Sequence, residues 1–93
     1  MIRQYETVCV FRNADDAFKE GVEAVKAELQ KLDGVITKEE DMRVRTLAYR
    51  VRKQTQGHYY LFEFDMDPEK AHQIDAALKH RPELLRHIVV RKE

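Results

Sequence analysis

Four histidines are the residues of this chain best suited to binding a metal ion. A structural zinc site needs four ligands close together, and a catalytic zinc site needs three. The histidines, at positions 58, 72, 80 and 87, fall in different predicted elements, and no Cys–His cluster accompanies them. His72 and His80 would lie about 12 Å apart along a helix axis, which is too far to share an ion. We therefore predict four solvated surface histidines, with no metal site and no cofactor.

Cys9 and the carboxylates of Glu39, Glu40 and Asp41 are the remaining candidates for catalysis. A nucleophilic thiol needs a nearby base to lower its pKa, and the sequence shows no such arrangement around Cys9. General acid–base catalysis needs carboxylates that converge on a substrate, whereas neighbours on a strand point to opposite faces. We interpret Cys9 as a small apolar filler and residues 39–41 as a solvated turn or strand end. The chain is therefore predicted to be a binding protein rather than an enzyme.

Charge is distributed unevenly along the chain, although 17 basic and 17 acidic residues give a net charge of zero. The segment 42–58 contains five basic residues and no acidic one, and the segment 78–93 has a net charge of +3. Two basic segments on a neutral protein favour a local contact with an anion over a general coating of nucleic acid. Solvated faces that happen to cluster remain an alternative on composition alone.

The length of 93 residues predicts one domain spanning residues 1–93, because two separate cores would each be too small. The sequence has no run of 18 apolar residues and no signal-peptide core at its N-terminus, so no membrane association is predicted. A single cysteine suits a reducing compartment. The predicted location is the cytoplasm.

Hydrophobic periodicity predicts a helix after a first strand at residues 3–12. Apolar residues recur there at spacings of four and three, which places them on one helical face; they are Phe18, Val22, Val25, Leu29 and Leu32. We expect an aspartate in the loop 13–16 to cap this helix and Gly34 to end it in the left-handed conformation. Gly21, inside the helix, is explained by close packing.

The second half of the chain repeats this order of elements. Strands are predicted at residues 35–51, 58–66 and 85–90, with a turn at residues 53–57 in which Gly57 has a positive φ. Asp67 caps a second helix, Pro68 occupies its first position, and the helix ends before Pro82. The order βαββαβ predicts an α+β ferredoxin-like plait, with a four-stranded antiparallel sheet and two helices on one face. This fold leaves the other sheet face open and does not specify a function.

The third strand weakly resembles the RNA-recognition motif, in which aromatic residues of a central strand stack on bases. Tyr60, Phe62, Phe64 and Met66 alternate as one apolar row that should face the helices. Only Tyr59 would then remain to stack from the open face. We conclude that the chain is not an RNA-recognition motif.

Several segments resemble the family of bacterial small-subunit ribosomal protein six. The resemblance includes Leu47-Ala48-Tyr49, Lys53 and Gln56-Gly57-His58-Tyr59 in and after the basic segment. It extends to Arg3-Gln4-Tyr5-Glu6 at the start and to Leu84-Leu85-Arg86-His87-Ile88-Val89-Val90 at the end. Because these segments occur in the family's order, the resemblance covers essentially the whole chain.

The resemblance implies a structural protein that binds the central domain of small-subunit ribosomal RNA together with ribosomal protein eighteen, its heterodimer partner. A neutral chain gains little affinity from counterion release, so a partner that supplies more contacts fits the charge. No small-molecule substrate is implied. The candidate RNA contacts are Arg3, Arg45, Arg50, Arg52, Lys53, Arg86, Arg91 and Lys92. The candidate partner contacts are Tyr5, Tyr49 and Tyr59, with packed strand aromatics as the alternative for the first two.

Two departures from the family pattern bear on the partner contacts. Arg50 follows Leu47-Ala48-Tyr49 where the family usually has proline, and it could extend strand pairing or add a phosphate contact. The sequence also ends at Glu93, without the C-terminal tail that many relatives carry. Two other functions stay open, an acylphosphatase-like enzyme and a ligand-sensing plait. The first would need an arginine-bearing anion loop after the first strand, where Asp15 and Asp16 stand instead.

Overall fold

The architecture is a four-stranded antiparallel sheet covered by helices, seen in a computed structural model that describes residues 1–92. The elements are β1 (Arg3–Arg12), α1 (Asp15–Lys31), β2 (Val35–Val51), β3 (Gln54–Met66), α2 (Pro68–Ala71), α3 (Ile74–Leu78) and β4 (Leu84–Arg91). The strand order is β2-β3-β1-β4, so β2 and β4 are the edge strands. The predicted ferredoxin-like plait is confirmed. None of the helices described is long and apolar enough to cross a membrane.

The core lies between the helices and one face of the sheet. Tyr60 contacts Phe18 of α1 edge-on, and the next three members of its row in β3 are fully buried, as predicted from the period of two. The helices contribute the buried side chains of Val25, Leu29, Ile74 and Leu78. A buried aliphatic side chain contributes about 1.5–3 kcal/mol, so this layer accounts for much of the stability of the fold.

Both ends of α1 differ in detail from the prediction. The N-cap residue is Ala14, which has an extended backbone but no side-chain acceptor, and Asp15 and Asp16 lie in the first turn. At the other end, the left-handed residue is Asp33, with φ of 62°, rather than Gly34. The amide of Gly34 donates to the Leu29 carbonyl at 2.9 Å, and that of Asp33 donates to the Gln30 carbonyl at 3.0 Å. This is a Schellman ending.

Gly34 is required by space rather than by φ. A Cβ at this position would lie 2.8 Å from the Leu29 carbonyl oxygen and 2.8 Å from Cε of Met66. Gly21 has the same role inside α1, where a Cβ would lie 2.4 Å from Cδ1 of Phe11. The predicted close packing at Gly21 is confirmed.

The second helical region begins as predicted but is not continuous. The Asp67 carboxylate accepts a hydrogen bond from the Glu69 amide at 2.9 Å, and Pro68 is in the first turn. The Gln73 amide then bonds to the Lys70 carbonyl three residues back, which closes a tighter turn between α2 and α3. The chain resumes as α3 with Ile74 and Leu78 both buried. The prediction of one helix up to Arg81 is therefore wrong.

The β2–β3 hairpin turns earlier than predicted. Val51 pairs with Gln54, so the two-residue turn consists of Arg52 and Lys53, which have φ of 48° and 66°. Gly57 lies within β3 with no positive φ, and a Cβ there would lie 2.4 Å from Cγ1 of Val10. The turn predicted at residues 53–57 is wrong, because Gly57 makes room for a neighbouring side chain instead of turning the chain.

Strand β2 is irregular, and its irregularities set the shape of the site described below. Its register to β3 shifts at three places, one of them next to Arg43, whose φ is 74°. The sequence had suggested that residues 39–41 form a solvated turn or strand end. They lie instead within β2. Thr46 pairs with Gln56 and Val51 with Gln54, so residues 47–50 stand opposite the single residue Thr55. The segment of β2 that carries Leu47 to Arg50 therefore bulges away from regular pairing.

Candidate nucleic-acid and partner interface

The sheet face opposite the helices is defined by register. Residues directly opposite each other in antiparallel strands point to the same face. Val8 pairs with Leu61 and Ile88, and Val10 pairs with Tyr59 and Arg86. Their neighbours Cys9 and Tyr60 form the corresponding pair on the helix-covered face. The open face thus combines aliphatic, aromatic and basic side chains, and Tyr59 belongs to it as predicted.

The bulged segment of β2 folds against this face and forms a cavity of about 160 Å³. We call it the open-face groove; its main lining residues are Val8, Val10, Leu47, Tyr49, Tyr59 and Ile88. Tyr49 and Ile88 are 63% and 57% exposed. Exposed aromatic and aliphatic side chains around one concavity are typical of a surface that a partner covers.

Two arginines lie against the aromatic side chains of the groove. The Arg86 guanidinium donates to the Tyr49 hydroxyl at 2.6 Å and lies 5.7 Å from the centre of its ring. The Arg45 guanidinium lies 5.7 Å above the Tyr59 ring and donates to the Met42 carbonyl at 3.3 Å. Cation–π contacts of this kind hold the guanidinium groups in place without neutralising their charge.

The structure divides the predicted RNA contacts between the two ends of the sheet. One set, which we call the tip group, lies at or near the β2–β3 turn and the first half of β4; it comprises Arg45, Arg50, Arg52, Lys53 and Arg86. The other set, the far group, lies where β1 begins and β4 ends; it comprises Arg3, Arg91 and Lys92. Nine residue steps along β1 separate the two ends, or about 30 Å.

The far group is in a more acidic setting than the tip group. The Lys92 ammonium donates to the Glu63 carboxylate at 3.0 Å, and Lys38 lies 3.9 Å from the same side chain. Donation of this hydrogen bond to Glu63 raises the pKa of Lys92. Arg3 and Arg91 pair in register with Met66 and Tyr5, which face the helices. The three cations therefore do not form one surface with the tip group.

Tyr5, one of the three predicted partner contacts, is a core residue. Its side chain is 7% exposed and stacks on Phe64, with ring centres 5.8 Å apart. The alternative interpretation, a packed strand aromatic, describes its position. Tyr49 and Tyr59 both line the open-face groove.

The four histidines are not alike, so the prediction of solvated surface residues is wrong for two of them. His58 stacks on Phe18, with ring centres 3.5 Å apart, and its Nε2 lies 2.6 Å from an Asp41 oxygen. His87 is also largely covered, with Nε2 2.9 Å from an Asp75 oxygen. His72 and His80 are exposed. Within residues 1–92, no three His, Cys, Asp or Glu side chains are grouped so that they could hold a metal ion.

The carboxyl group of Asp41 holds the register shift of β2 next to Arg43. Partial burial alone would raise its pKa, but the hydrogen bonds from His58 and from the Arg43 amide outweigh burial and lower it. The left-handed backbone at Arg43 thus has a local partner. This contact stabilises the irregular backbone of β2 at Arg43.

The catalytic alternatives gain no support from the geometry. Cys9 is fully buried, and burial, opposed by a weak contact with the Thr7 hydroxyl, raises its pKa to about 12. The interpretation as an apolar filler is confirmed. After β1, the Arg12 side chain donates to the Pro82 carbonyl at 2.8 Å and the Asn13 amide donates to Gln56 at 3.1 Å. Both side chains are used in structural contacts instead of forming an anion loop.

A second cavity beside the tip group was missed by the sequence interpretation. We call it the basic cavity; it measures about 240 Å³, and its polar lining consists of Arg52, Lys79, Arg86 and His87. Lys79 directly follows α3, and the other three belong to the hairpin and to β4. The +3 charge of the segment 78–93 was a signal for it. The proximity of Arg52 was not visible, because the turn had been placed one residue too late.

A sheet covered by helices on one face, with an apolar groove and a basic end on the other, defines a ferredoxin-like plait suited to binding macromolecules. The particular family follows from comparison of sequences and structures.

A family model described as ribosomal protein S6 matches residues 4–91. Small ribosomal subunit protein bS6 of Treponema pallidum is 41% identical over 90 residues, covering 97% of each chain. The corresponding protein of Treponema denticola is 35% identical over 92 residues, covering 99% of each chain. The crystal structure of 30S ribosomal protein S6 from Thermotoga maritima superposes with a TM-score of 0.89 at 25% identity, covering 99% of this chain and 89% of that one.

The chain therefore belongs to the ribosomal protein S6 family. The family resemblance predicted from the sequence is confirmed, and so is the ribosomal location that follows from it.

Proposed function

We propose that this protein is a structural component of the small ribosomal subunit that binds the central domain of the ribosomal RNA together with ribosomal protein eighteen. The observation that carries the proposal is the open-face groove, an exposed apolar concavity whose edge is formed by cations of the tip group. It combines a surface for a protein and a surface for phosphate on one side of the sheet.

The groove supports a protein partner because its most exposed residues are of the types that dominate protein interfaces. Tyr49 and Ile88 would be desolvated by a partner, and Arg86 is already fixed against the Tyr49 hydroxyl. Tyrosine and arginine are enriched among residues that contribute most to binding. We assign Tyr49 and Tyr59 to the interface with ribosomal protein eighteen.

The tip group supports contact with the RNA backbone. Four of its five cations come from the segment 42–58, which has no acidic residue, yet the whole chain has a net charge of zero. Affinity from counterion release scales with the number of phosphates neutralised, so five cations give a limited contribution. A joint surface with a second protein would supply the rest, with the far group as a separate, smaller contact.

The test is a filter-binding titration of central-domain RNA with and without ribosomal protein eighteen. We expect weak binding by the chain alone and strong binding by the pair, because only the pair offers enough phosphate contacts. Tight binding by the isolated chain, equal to that of the pair, would contradict the joint surface.

A matched pair of variants tests whether protein eighteen binds at the open-face groove. Ile88→Asn places a polar side chain in the groove, whereas Val35→Asn changes a residue that is 62% exposed at the opposite end of the sheet. Both remove an exposed apolar side chain from a strand. We expect Ile88→Asn to lose binding of protein eighteen, measured by calorimetry, and Val35→Asn to retain it. Equal affinities of the two variants would place the partner elsewhere.

A further inference from the structure

We propose that the basic cavity is a phosphate-binding site that takes a phosphodiester group of the RNA backbone. The identity of the ligand as RNA rests on the proposed function, whereas the affinity of the cavity for phosphate does not. Lys79 belongs to the basic segment 78–93 but is not among the RNA contacts implied by the family resemblance, and the proposal adds it to them.

The charges around the cavity favour binding of an anion. Arg52, Lys79 and Arg86 line one cavity of about 240 Å³, and the lining includes no acidic residue of the described chain. Like charges that share a cavity repel each other, and the repulsion disappears when an anion binds between them. A volume of this size accommodates a phosphate group with some of its water, since a water molecule occupies about 30 Å³ in the liquid.

The floor of the cavity strengthens this attraction. It is formed by Leu78, Leu84 and Leu85, which are all buried members of the hydrophobic interior. An apolar wall of low polarisability concentrates the field of nearby charges into the cavity.

Both arginines of the cavity have partners within the protein. Arg52 makes a long hydrogen bond of 3.5 Å to the Leu84 carbonyl, and Arg86 is fixed by the Tyr49 hydroxyl. His87 is held by Asp75, which lies outside the lining of the cavity. Side chains that are already ordered lose less conformational entropy on binding than free ones.

The backbone of the hairpin supplies an independent observation. Arg52 and Lys53 both have positive φ in a two-residue turn, a conformation for which Asn-Gly is the favoured pair. Left-handed residues with large side chains store strain, and such strain concentrates at functional sites. Arg52, the member of the pair that lines the cavity, is thus a strained cation where a neutral residue would fold better, which points to a use for its charge.

The first experiment titrates the isolated chain with inorganic phosphate against chloride at constant ionic strength, followed by NMR. We expect saturable shifts of the amide signals of Lys79, Arg86 and His87, and their loss in Lys79→Gln. Lys31→Gln is the matched control, since it removes an exposed lysine at the end of another helix, α1. Shifts that are absent, or that are equal for phosphate and chloride, overturn the phosphate site.

The second experiment measures joint RNA binding over a salt series. Lys79→Gln should weaken binding and reduce the slope of log K against log salt by about 0.7–0.9, the value of one phosphate contact. The double variant Arg52→Asn with Lys53→Gly should weaken binding further while raising the thermal midpoint. Arg43→Gly is the control, because it also removes a cation with positive φ, but one outside the lining of the cavity. It should raise the midpoint without changing the RNA affinity.

The outcomes separate this site from the proposed function. If Lys79→Gln and the double variant bind RNA like the unaltered pair, the phosphate site is overturned and the proposed function stands. If the unaltered pair does not bind the RNA, the proposed function fails. Saturable phosphate shifts at the cavity would in that case still support an anion site with another ligand.

Discussion

Gly21 lies on the buried side of α1 against the ring of Phe11, with too little room for a methyl group. Gly21→Ala should improve helix propensity by about 1 kcal/mol, but overpacking a core costs about 1–3 kcal/mol. Phe11 is fully buried and in edge contact with Phe18, so its ring has little freedom to move. We expect a net decrease of about 1 kcal/mol in the free energy of unfolding, measured in urea.

The control for this variant is Ala27→Gly on the exposed side of the same helix. It should also destabilise the protein by about 1 kcal/mol, but through propensity alone. A stabilised Gly21→Ala protein would show that the contact with Phe11 relaxes easily.

The thiol of Cys9 should be unreactive in the folded protein. Its pKa of about 12, raised by burial, leaves almost no thiolate at pH 8, and the side chain is fully covered. Reaction with a disulfide reagent should therefore proceed only through unfolded molecules and accelerate with added urea. A rate in native buffer close to that of the fully unfolded chain would mean that β1 opens readily.

At the scale of elements, the helix start at Ala14 is the clearest opportunity for stabilisation. Ala14 has φ of −146° and ψ of 133°, the extended geometry of an N-cap, but offers no acceptor to the first-turn amides. Ala14→Ser should raise the free energy of unfolding by about 0.5–1 kcal/mol. Ala17→Ser, three residues further on, should lower it slightly through helix propensity, and equal effects of the two would argue against a capping mechanism.

The strands and α1 were predictable because their signals are periodic. The row Tyr60, Phe62, Phe64 and Met66 assigned the two faces of β3 correctly, and with them the position of Tyr59. The details that failed depend on single contacts between distant residues. Glycine at position 57 favours a turn when the sequence is considered alone. The structure shows that Val10 occupies the space beside it, which requires a residue without a side chain.

The candidate site was predictable in composition but not in arrangement. The basic segment and the last strand were both recognised, whereas the irregular register of β2 decides which cations meet. Tyr5 resembled an interface residue by its place in the family pattern. Tyr5 lies directly opposite Phe64 in the β1–β3 pair, so the two side chains point to the same face and Tyr5 is in the core.

For the molecule as a whole, zero net charge conceals a polarity along the sheet. The tip group lies at one end; nearer the other end Glu6 pairs with Glu63, and Asp65 lies two residues further along β3. The two ends of the sheet, about 30 Å apart, are separated by roughly three Debye lengths at 0.1 M salt, so each acts on an anion almost independently. RNA should therefore approach the hairpin end of the protein.

This polarity predicts different roles for Lys53 and Lys92, which were both candidate RNA contacts in the sequence. Lys53 lies in the exposed turn of the tip group, whereas Lys92 is hydrogen-bonded to Glu63. Lys53→Gln should weaken joint RNA binding and reduce the salt slope by about 0.7–0.9. Lys92→Gln should have a smaller effect on both, because the Glu63 carboxylate already compensates its charge. Equal losses in salt-dependent filter binding would show that the RNA displaces Glu63 from Lys92.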